Sequence, residues 1–398
     1  MDRNVQENAE TDQSEIQIVE EYESFDDMEL SISLLKGIYA YGFESPSAVQ
    51  QKAIVPFRNG RNVIAQAQSG TGKTGTFSIG MLSRIDVDSK ECQGLILAPT
   101  RELAYQILSV IDSIGYHMGV RCHICVGGTD RREDERILVK GGVHVVVGTP
   151  GRVYDMLNIK ALDGRYVDMF VLDEADEMLD KEGFQDIVHD ILYKLSKNVQ
   201  IGLFSATMPQ KLLELTTKFV TDPVKIIVQT ELLTLDGISQ YYVDLGDESY
   251  KLEALCDLYK DISIGTCVIF CNSQKRVEIL AEDMKSRDFA VTSIHGSMSS
   301  KERNEIVKQF RQGVYKVLIS TDLLARGIDV QQLSVVINYD LPKNFENYLH
   351  RIGRSGRFGR KGLAINFISK WDKENLKELE KFYDIKMEEL PAKLKDLI

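Results

Sequence analysis

The eight residues AQSGTGKT, from Ala67 to Thr74, follow a short apolar run and precede a helical pattern. A strand, a glycine-containing loop and a helix in this order are typical of a phosphate-binding loop, whose backbone N–H groups point at phosphate oxygens. The lysine of such a loop reaches the β- and γ-phosphates, and the hydroxyl after it binds Mg²⁺. The alternative is a glycine-rich turn of an ordinary α/β domain, because the strict motif begins with glycine rather than alanine. The nucleotide-binding residues that we predict from this loop are Ser69, Gly70, Thr71, Gly72, Lys73 and Thr74.

Length and composition predict a globular protein with two domains. The chain has 398 residues, of which 43% are hydrophobic, and no apolar run reaches the length of a membrane span. Its six cysteines indicate free thiols in a reducing compartment. Cys122 and Cys125 form a C-x-x-C pair within an apolar run, which favours core residues over a metal or redox site.

The net charge of −12 is concentrated in the N-terminal part of the chain. From Ile238 onward, 25 Lys and Arg residues stand against 24 Asp and Glu residues, so this part is nearly neutral. Any affinity for nucleic acid must therefore come from local sites rather than from a global positive field.

Apolar strands alternate with helical segments along most of the chain. This alternation predicts a parallel sheet covered by helices on both faces, with ligands bound beyond the carboxyl ends of the strands. The pattern pauses in a short polar stretch and then restarts, without a second GKT loop. The domains that we predict are a disordered acidic tail (1–23), a first domain (24–228), a flexible linker (229–237) and a second domain (238–398).

Carboxylates and hydroxyls stand at the ends of two predicted strands of the first domain. VLDEAD places Asp173 and Glu174 after a buried strand, where one can hold Mg²⁺ through water and the other can orient and deprotonate an attacking water. Ser205 and Thr207 of the SAT segment can join Asp173 and Glu174 in a hydrogen-bond network that reports loss of the γ-phosphate. The alternative for both segments is ordinary helix capping.

An amide and an aromatic ring near the N-terminus are candidates for base recognition. Gln50 follows a turn in GFESPSAVQ, and its amide can both donate to and accept from an adenine edge. The ring of Phe25 can stack on the adenine. By itself, a glutamine after a turn is usually a surface residue.

The second domain carries the positive charge that the first one lacks. The segment HRIGRSGRFGR predicts that Arg354 and Arg357 act at phosphate, while His350 and Arg351 are structural or link the domains. The alternatives are a basic patch that contacts RNA and a solvated helix end. In STDLLARGIDV, Asp329 lies beside a glycine turn, where it can hydrogen-bond a ribose hydroxyl.

Other polar groups at predicted strand ends suit a sugar–phosphate backbone that is read without its bases. Each of them alone is equally compatible with a helix cap, but four such groups across two domains favour the backbone interpretation. They are found at Thr100 and Arg101, Gly127 and Gly128, Thr149 and Arg152, and His295 and Gly296.

With these motifs in this order, the chain resembles the DEAD-box RNA helicases of superfamily 2. The resemblance covers about residues 24 to 390 and rests on GFESPSAVQ, AQSGTGKT, PTRELA, GG, TPGR, DEAD, SAT, VIFCNS, HGSM, STDLLARGIDV and HRIGRSGR. Ala67 is usual in this family. The resemblance implies two RecA-like domains joined by a short flexible linker, with ATP and Mg²⁺ as cofactors, RNA as partner and ATP-dependent local unwinding of RNA as function.

The family also implies residue roles. It assigns adenine recognition to Phe25 and Gln50, phosphate and Mg²⁺ to Lys73 and Thr74, the metal to Asp173 and the attacking water to Glu174. Asp329, Arg354 and Arg357 complete the ATP site from the second domain. Ser300 departs from the glutamine that the family often has there, so it is given no RNA role. The RNA contacts that the family implies are Arg101, Gly128, Thr149, Arg152, Asn272, His295, Gly296 and Thr321.

Within the family, the stretches YAYGFESPSAVQQKAI and LLARGIDVQQLSVVINYDLP and the closing KDLI resemble members that act in translation initiation. That resemblance implies initiation-complex scaffold, cap-binding and activator proteins as partners, a chain that is a monomer on its own, and a cytoplasmic location. The alternative is an ATP-gated RNA clamp like the nuclear exon-junction paralogue. A DNA-directed motor is a further alternative, which predicts equal stimulation of ATP turnover by DNA and RNA.

Overall fold

Fourteen strands form two sheets in the computed structural model, which describes residues 20–67, 70–180, 184–209, 214–217, 219–228, 238–261, 266–322, 333–353 and 362–391. The predicted linker (229–237), most of the predicted tail, Ser69, Asp329, Arg354 and Arg357 lie outside these residues. No described helix is long and apolar enough to cross a membrane.

The first sheet has seven strands in the order β3-β4-β2-β5-β6-β1-β7, and every neighbouring pair is parallel. Its strands are β1 (Val63–Gln66), β2 (Gly94–Leu97), β3 (Cys122–Cys125), β4 (Val145–Gly148), β5 (Met169–Asp173), β6 (Gln200–Ser205) and β7 (Val224–Ile227). Side chains alternate between two cores along each strand. Val145 and Val147 pack into one apolar cluster, whereas Val146 packs into the other. Both faces of the sheet are therefore buried, as a parallel sheet requires.

Helices connect these strands and cover both faces. They are α1 (Ile32–Tyr41), α2 (Ala48–Arg58), α3 (Lys73–Leu82), α4 (Arg101–Gly115), α5 (Arg131–Lys140), α6 (Pro150–Asn158), α7 (Ala175–Asp180) and α8 (Phe184–Lys194). Side-chain oxygens cap several of them: Thr100 Oγ1 accepts the backbone N–H of Leu103 at the start of α4, and Asp130 accepts that of Arg132 at the start of α5. Short 3₁₀ segments occupy Asp26–Met28, Tyr116–Met118 and Gly164–Tyr166.

The second sheet repeats the strand order of the first. Its order is β10-β11-β9-β12-β13-β8-β14, and its neighbours are again parallel. The strands are β8 (Ile238–Gly246), β9 (Thr266–Phe270), β10 (Val291–Ile294), β11 (Val317–Ser320), β12 (Leu333–Asn338), β13 (Gly362–Ser369) and β14 (Glu388–Glu389). The helices are α9 (Lys251–Asp261), α10 (Gln274–Ser286), α11 (Ser300–Arg311), α12 (Phe345–Ile352) and α13 (Lys373–Tyr383), with a 3₁₀ segment at Glu248–Tyr250. The predicted fold class of two α/β domains with parallel sheets is confirmed.

Contacts between the N-terminal segment and the first domain begin before the predicted boundary at residue 24. The backbone N–H of Tyr22 donates to Gln51 O at 3.3 Å, and Glu21 pairs with Lys52 at 3.1 Å. The ring of Tyr22 also packs against the apolar core. These contacts attach residues 20–23 to α2, so this part of the predicted disordered tail belongs to the domain.

Candidate active site

The phosphate loop lies between β1 and α3, at the carboxyl edge of the first sheet. Gly70 and Gly72 have φ values of +85° and +98°, a backbone region that favours glycine. A Cβ on Gly72 would lie 2.8 Å from Gln50 Nε2, so this position also needs a residue without a side chain. Lys73 is the first residue of α3, and its ammonium donates to Ala67 O at 2.5 Å. Thr71 and Thr74 flank Gly72 and Lys73 and are partly exposed.

Gln50 ties α2 to this loop. Its Oε1 accepts the backbone N–H of Ser47 at 2.8 Å, and its Nε2 donates to Gly72 O at 3.3 Å. The side chain is almost completely buried, at 2% exposure. Gln50 therefore fixes the position of the loop, and the adenine contact predicted for it stays a prediction.

The predicted stacking of Phe25 on adenine stays a prediction. Phe25 is fully buried in the first core, and its ring packs edge-on against Tyr39 at a centroid distance of 6.3 Å. The Phe25 ring also lies beside that of Phe43, with a centroid distance of 6.3 Å. The ring next to the phosphate loop is that of Phe43, which is half-buried and lies 2.9 Å from the position of a Cβ on Gly75 in α3. In the sequence, Phe43 and Gln50 share the segment GFESPSAVQ.

Three buried carboxylates lie at the carboxyl end of β5 and in the turn and helix that follow it. Asp173, Glu174 and Asp176 are each less than 9% exposed. Burial, followed by the negative charge of Glu174, raises the pKa of Asp173 to about 7, while Lys73 acts in the opposite direction. Glu174 has a φ of +53°, which is strained for a residue with a Cβ. Its Oε2 atom is buried and has no hydrogen-bond partner among the described residues.

The SAT hydroxyls contact Asp176 rather than Asp173 and Glu174, which corrects the predicted network. Thr207 Oγ1 donates to Asp176 Oδ2 at 2.6 Å, and the backbone N–H of Asp176 donates to Ser205 Oγ at 3.4 Å. His350 of the second domain approaches the same carboxylate, with Nε2 3.6 Å from Asp176 Oδ2. Asp176 therefore links the end of β6 to α12 across the cleft. It was missed because only the first two carboxylates of VLDEAD were assigned roles.

These residues fit a nucleotide with a divalent cation. The positive-φ glycines provide a backbone concavity for phosphate. The unpartnered Glu174 oxygen and the raised pKa of Asp173 indicate an excess of buried negative charge, which a cation would offset. The ligand atoms of Glu174, Asp176 and His350 lie within 4.8 Å of one another.

Arg351 is fully buried, and its described partners all belong to the second domain. Its guanidinium donates to Asp322 Oδ1 at 2.5 Å, to Asp340 O at 2.7 Å and to Asn272 Oδ1 at 2.8 Å. It also lies over the ring of Phe270 at 5.3 Å. Its predicted part in interdomain coupling is therefore indirect, since it holds the strand ends that carry Asn272 and Asp322.

A cavity of about 540 Å³ lies between the two domains and contains several of the predicted RNA contacts. Arg101, Thr149 and Arg152 line it from the first domain and Gly296 from the second. The other lining residues are Pro99, Thr100, Glu102, Gly127, Gly151, Asp155, Phe184 and Arg303. Gly128, Asn272, His295 and Thr321 are outside this lining.

An ion pair crosses this cavity from one domain to the other. Arg303 Nη1 of α11 lies 3.1 Å from Glu102 Oε1 of α4, and both side chains are less than 8% exposed. Glu102 Oε2 and Arg303 Nε have no hydrogen-bond partner among the described residues. Neither residue was predicted to have a role, because Glu102 reads as an ordinary acid in the first turn of a helix.

Three of the predicted RNA contacts use their polar atoms within their own domain. Arg152 donates to Thr129 and Asp134, and Asn272 donates to Leu341 O at 2.7 Å. His295 is buried, with Nδ1 2.9 Å from Ser297 Oγ and Nε2 3.4 Å from Glu278. Their predicted contact with RNA stays a prediction.

Comparison with known families and proteins agrees with this geometry. Residues 47–215 match the DEAD/DEAH box helicase family, and residues 250–359 match the helicase conserved C-terminal domain. The chain is 58% identical to eukaryotic initiation factor 4A of Drosophila melanogaster over 379 residues, which cover 95% of this chain and 94% of that protein.

Two solved structures of nearly equal sequence identity superpose very differently on this chain. S. cerevisiae Dbp5 bound to RNA and ADP BeF3 has a TM-score of 0.88 at 38% identity, covering 94% of this chain and 97% of that chain. A DEAD box protein from the hyperthermophile Methanococcus jannaschii has a TM-score of 0.55 at 37% identity, covering 93% of this chain and 100% of that chain. Since identity and coverage are matched, the difference indicates another placement of the two domains. The present arrangement is similar to that of the RNA-bound Dbp5.

Proposed function

Because the chain belongs to the DEAD/DEAH box helicase family and is an ATP-dependent RNA helicase, we propose that it unwinds RNA secondary structure in mRNA 5′ leaders during translation initiation. The 58% identity to an initiation factor supports this role over that of a nuclear RNA clamp. We further propose a cytoplasmic location, a chain that is a monomer on its own, and initiation-complex scaffold, cap-binding and activator proteins as partners.

Two buried contacts between the domains carry the proposal that the helicase works by closing and opening its cleft. His350 reaches Asp176 beside the phosphate loop, and Arg303 reaches Glu102 in the cavity. Closure takes these polar groups out of water, and their mutual attraction repays that desolvation only in part. Ligands bound to both domains can offset this cost and favour the closed arrangement.

We propose that the ATP site is divided between the domains. Phe43 stacks on the adenine and Gln50 holds the loop, while Lys73 binds the phosphates and Thr74 and Asp173 bind Mg²⁺ through water. When bound, the metal supplies positive charge that stabilises the transferred phosphoryl group. Glu174 orients the attacking water and accepts its proton. Arg354, Arg357 and Asp329, which lie outside the described residues, complete the site from the second domain.

We propose that the cavity between the domains holds one RNA strand. The glycines and the first turns of α4 and α6 offer backbone N–H groups, which contact phosphate without reading the bases. Closure on one strand bends it and displaces its partner locally, and hydrolysis of ATP then reopens the cleft. Contacts to the 2′-hydroxyl are the expected source of a preference for RNA over DNA.

Translation in an extract depleted of its own initiation helicase tests the cellular role. Added protein is expected to restore translation of a reporter with a structured 5′ leader more than that of a reporter with an unstructured leader. An equal response of both reporters, or none, would contradict the role in initiation. Very slow turnover with a long-lived RNA complex would favour the clamp, and equal stimulation of ATP turnover by DNA would favour a DNA motor.

A charge exchange tests the closed cleft. Glu102→Arg and Arg303→Glu are each expected to lower RNA-stimulated ATP turnover, because like charges then meet across the cavity. The double variant is expected to recover part of the turnover, since the pair is restored in the opposite sense. Double-variant turnover no better than that of the worse single variant would show that this contact does not control closure.

A further inference from the structure

We propose that Asp134 and His123 are positioning residues for RNA binding, which act through Arg152 to fix the turn after β3 against the first turn of α6. This inference rests on the proposed RNA site. It assigns a function to α5, whose sequence RREDERILVK otherwise reads as a solvated charged helix.

Arg152 connects these two segments of the cavity wall. It stands in the first turn of α6, and its Nη1 donates to Thr129 Oγ1 at 3.0 Å while its Nη2 donates to Thr129 O at 3.0 Å. Nη1 also donates to Asp134 Oδ2. The Arg152 side chain is only 9% exposed. Its guanidinium is therefore paired within the domain, although the residue also contributes to the cavity lining.

Asp134 is the anion that holds Arg152 in this orientation. It is 4% exposed, and its second oxygen, Oδ1, lies 3.0 Å from His123 Nε2 of β3. The Asp134 carboxylate thus accepts one hydrogen bond from α6 and another from β3 of the first sheet. Hydrogen bonds to both oxygens offset the cost of burying such a carboxylate. His123 supplies the second of these bonds.

A metal site is not the best interpretation of this cluster, although the ligand atoms of His123, Cys125 and Asp134 lie within 4.8 Å of one another. The Arg152 guanidinium already pairs with Asp134, and a cation there would be repelled. Burial raises the pKa of the Cys125 thiol, so the sulfur stays protonated and is a poor ligand. The cluster fits an internal charge pair with a positioning function.

The two segments that Arg152 joins both face the cavity. Gly127 and Gly151 line it, and Thr149, at the N-cap position of α6, donates its backbone N–H to Cys125 O at 3.0 Å. Gly128 has a φ of +85°, and a Cβ there would lie 2.5 Å from Arg101 Nη1. The position of the turn therefore also sets where the Arg101 guanidinium lies. A shift of this turn would move several RNA-facing groups together.

The exposed carboxylate next to Asp134 in the chain provides a matched control. Glu133 pairs only with Arg136 of the same helix among the described residues, at 2.6 Å, and both side chains are largely exposed. Glu133→Gln and Asp134→Asn remove the same charge from neighbouring positions of α5. Only the second change reaches Arg152, so a difference between them isolates the buried contact from the loss of charge.

The test measures ATP turnover of the full chain against the concentration of a single-stranded oligo(U) RNA. Asp134→Asn is expected to raise the KM for RNA about tenfold, within the range that small misplacements of binding groups produce. The kcat at saturating RNA and the KM for ATP should stay at wild-type values. Asp134→Glu should recover most of the RNA affinity, His123→Leu should show a smaller loss, and Glu133→Gln should behave as wild type.

The salt dependence of RNA binding separates positioning from direct contact. If Arg152 is not a phosphate contact, Asp134→Asn should leave the slope of log affinity against log salt unchanged. A slope steeper by about 0.7 would mean that the released Arg152 binds one more phosphate. That result would overturn the proposal.

Two further results would also overturn it. One is an RNA KM for a folded Asp134→Asn variant equal to that of Glu133→Gln. The other is a parallel loss of kcat, ATP affinity and RNA affinity, which indicates general unfolding rather than positioning. If Asp134→Asn does not fold, the His123→Leu variant is used instead. A KM for RNA of His123→Leu equal to that of the wild type would contradict the proposal. Failure of RNA to stimulate the wild-type chain would instead refute the proposed function itself.

Discussion

The two domains share one strand order, yet the carboxylates at equivalent strand ends have opposite surroundings. β5 and β12 occupy the same place in their sheets, and each is followed by acidic residues. After β5, Asp173 and Glu174 are buried together, and Glu174 Oε2 lacks a described partner. After β12, Asp340 is likewise buried but lies 3.2 Å from Arg276 and 3.5 Å from Lys251.

This difference separates a site that needs a ligand from a site that is already complete. Asp340 Oδ2 also accepts the backbone N–H of Asn272 at 3.0 Å. Lys251 is 1% exposed and additionally approaches Asp372 and Glu248. The second domain thus neutralises this buried charge internally. The first domain keeps an excess of negative charge, which a cation and phosphates can offset.

The largest effect is expected from removing the carboxylate of Glu174, whose Oε2 has no hydrogen-bond partner in the described part of the chain. Glu174→Gln should lower RNA-stimulated kcat by roughly 10²–10⁴-fold, the contribution typical of a general base. ATP binding should remain, because Lys73 and the loop backbone are unchanged. Turnover and equilibrium nucleotide binding measured on the same preparation provide the check. A comparable loss of binding would contradict the division of roles between Glu174 and the loop.

An intermediate effect is expected from breaking the neutralised cluster of the second domain. Lys251→Met should lower the free energy of unfolding of this domain by about 3–5 kcal/mol, because Asp340 and its neighbours lose a buried partner. The ATP affinity of the folded protein should change little. Denaturant unfolding followed by circular dichroism gives the stability, and Lys373→Met, which removes an exposed pair with Asp244, is the control. Equal stability losses for the two variants would show that the buried cluster adds nothing.

The smallest effect is expected from the two rings Phe43 and Phe25 of the first domain, of which the first is half-buried and the second fully buried. Phe43→Leu should raise the KM for ATP by up to about tenfold, since stacking of one base on an aromatic ring contributes about 1–3 kcal/mol. Phe25→Leu should leave that KM unchanged and lower stability by about 1 kcal/mol through imperfect packing. Titration with ATP and thermal unfolding of both variants test the pair. A larger KM change for Phe25→Leu would restore the original assignment of the adenine ring.

Local patterns in the sequence predicted the parts of the molecule that are set by neighbouring residues. Continuous apolar runs such as HVVVG predicted strands buried on both faces, and β4 has this environment. The glycines of the phosphate loop predicted a positive-φ backbone, which Gly70 and Gly72 adopt. These features depend on covalent geometry and side-chain periodicity, which can be read within a window of a few residues.

Contacts between distant segments were beyond such patterns. The Glu102–Arg303 pair joins residues about 200 positions apart. The local sequence around each residue is the same as that around an ordinary charged residue on the surface of a helix. The burial of Phe25 depends on how α1 folds over the first core, which its aromatic character alone did not predict. Asp134 reads as one charge of a solvated helix, and only the approach of Arg152 and His123 distinguishes it.

The sequence by itself therefore determined the two parallel sheets, the phosphate loop and the chemistry available at the strand ends. AQSGTGKT already specified a phosphate site, because its glycines and its lysine act within one loop and one helix turn. The tertiary structure alone decided which carboxylate oxygens lack a partner among the described residues, which ring stays only half-buried and which charges meet across the cleft. These outcomes depend on desolvation and on partners from remote segments, and both are properties of the folded arrangement rather than of any local stretch.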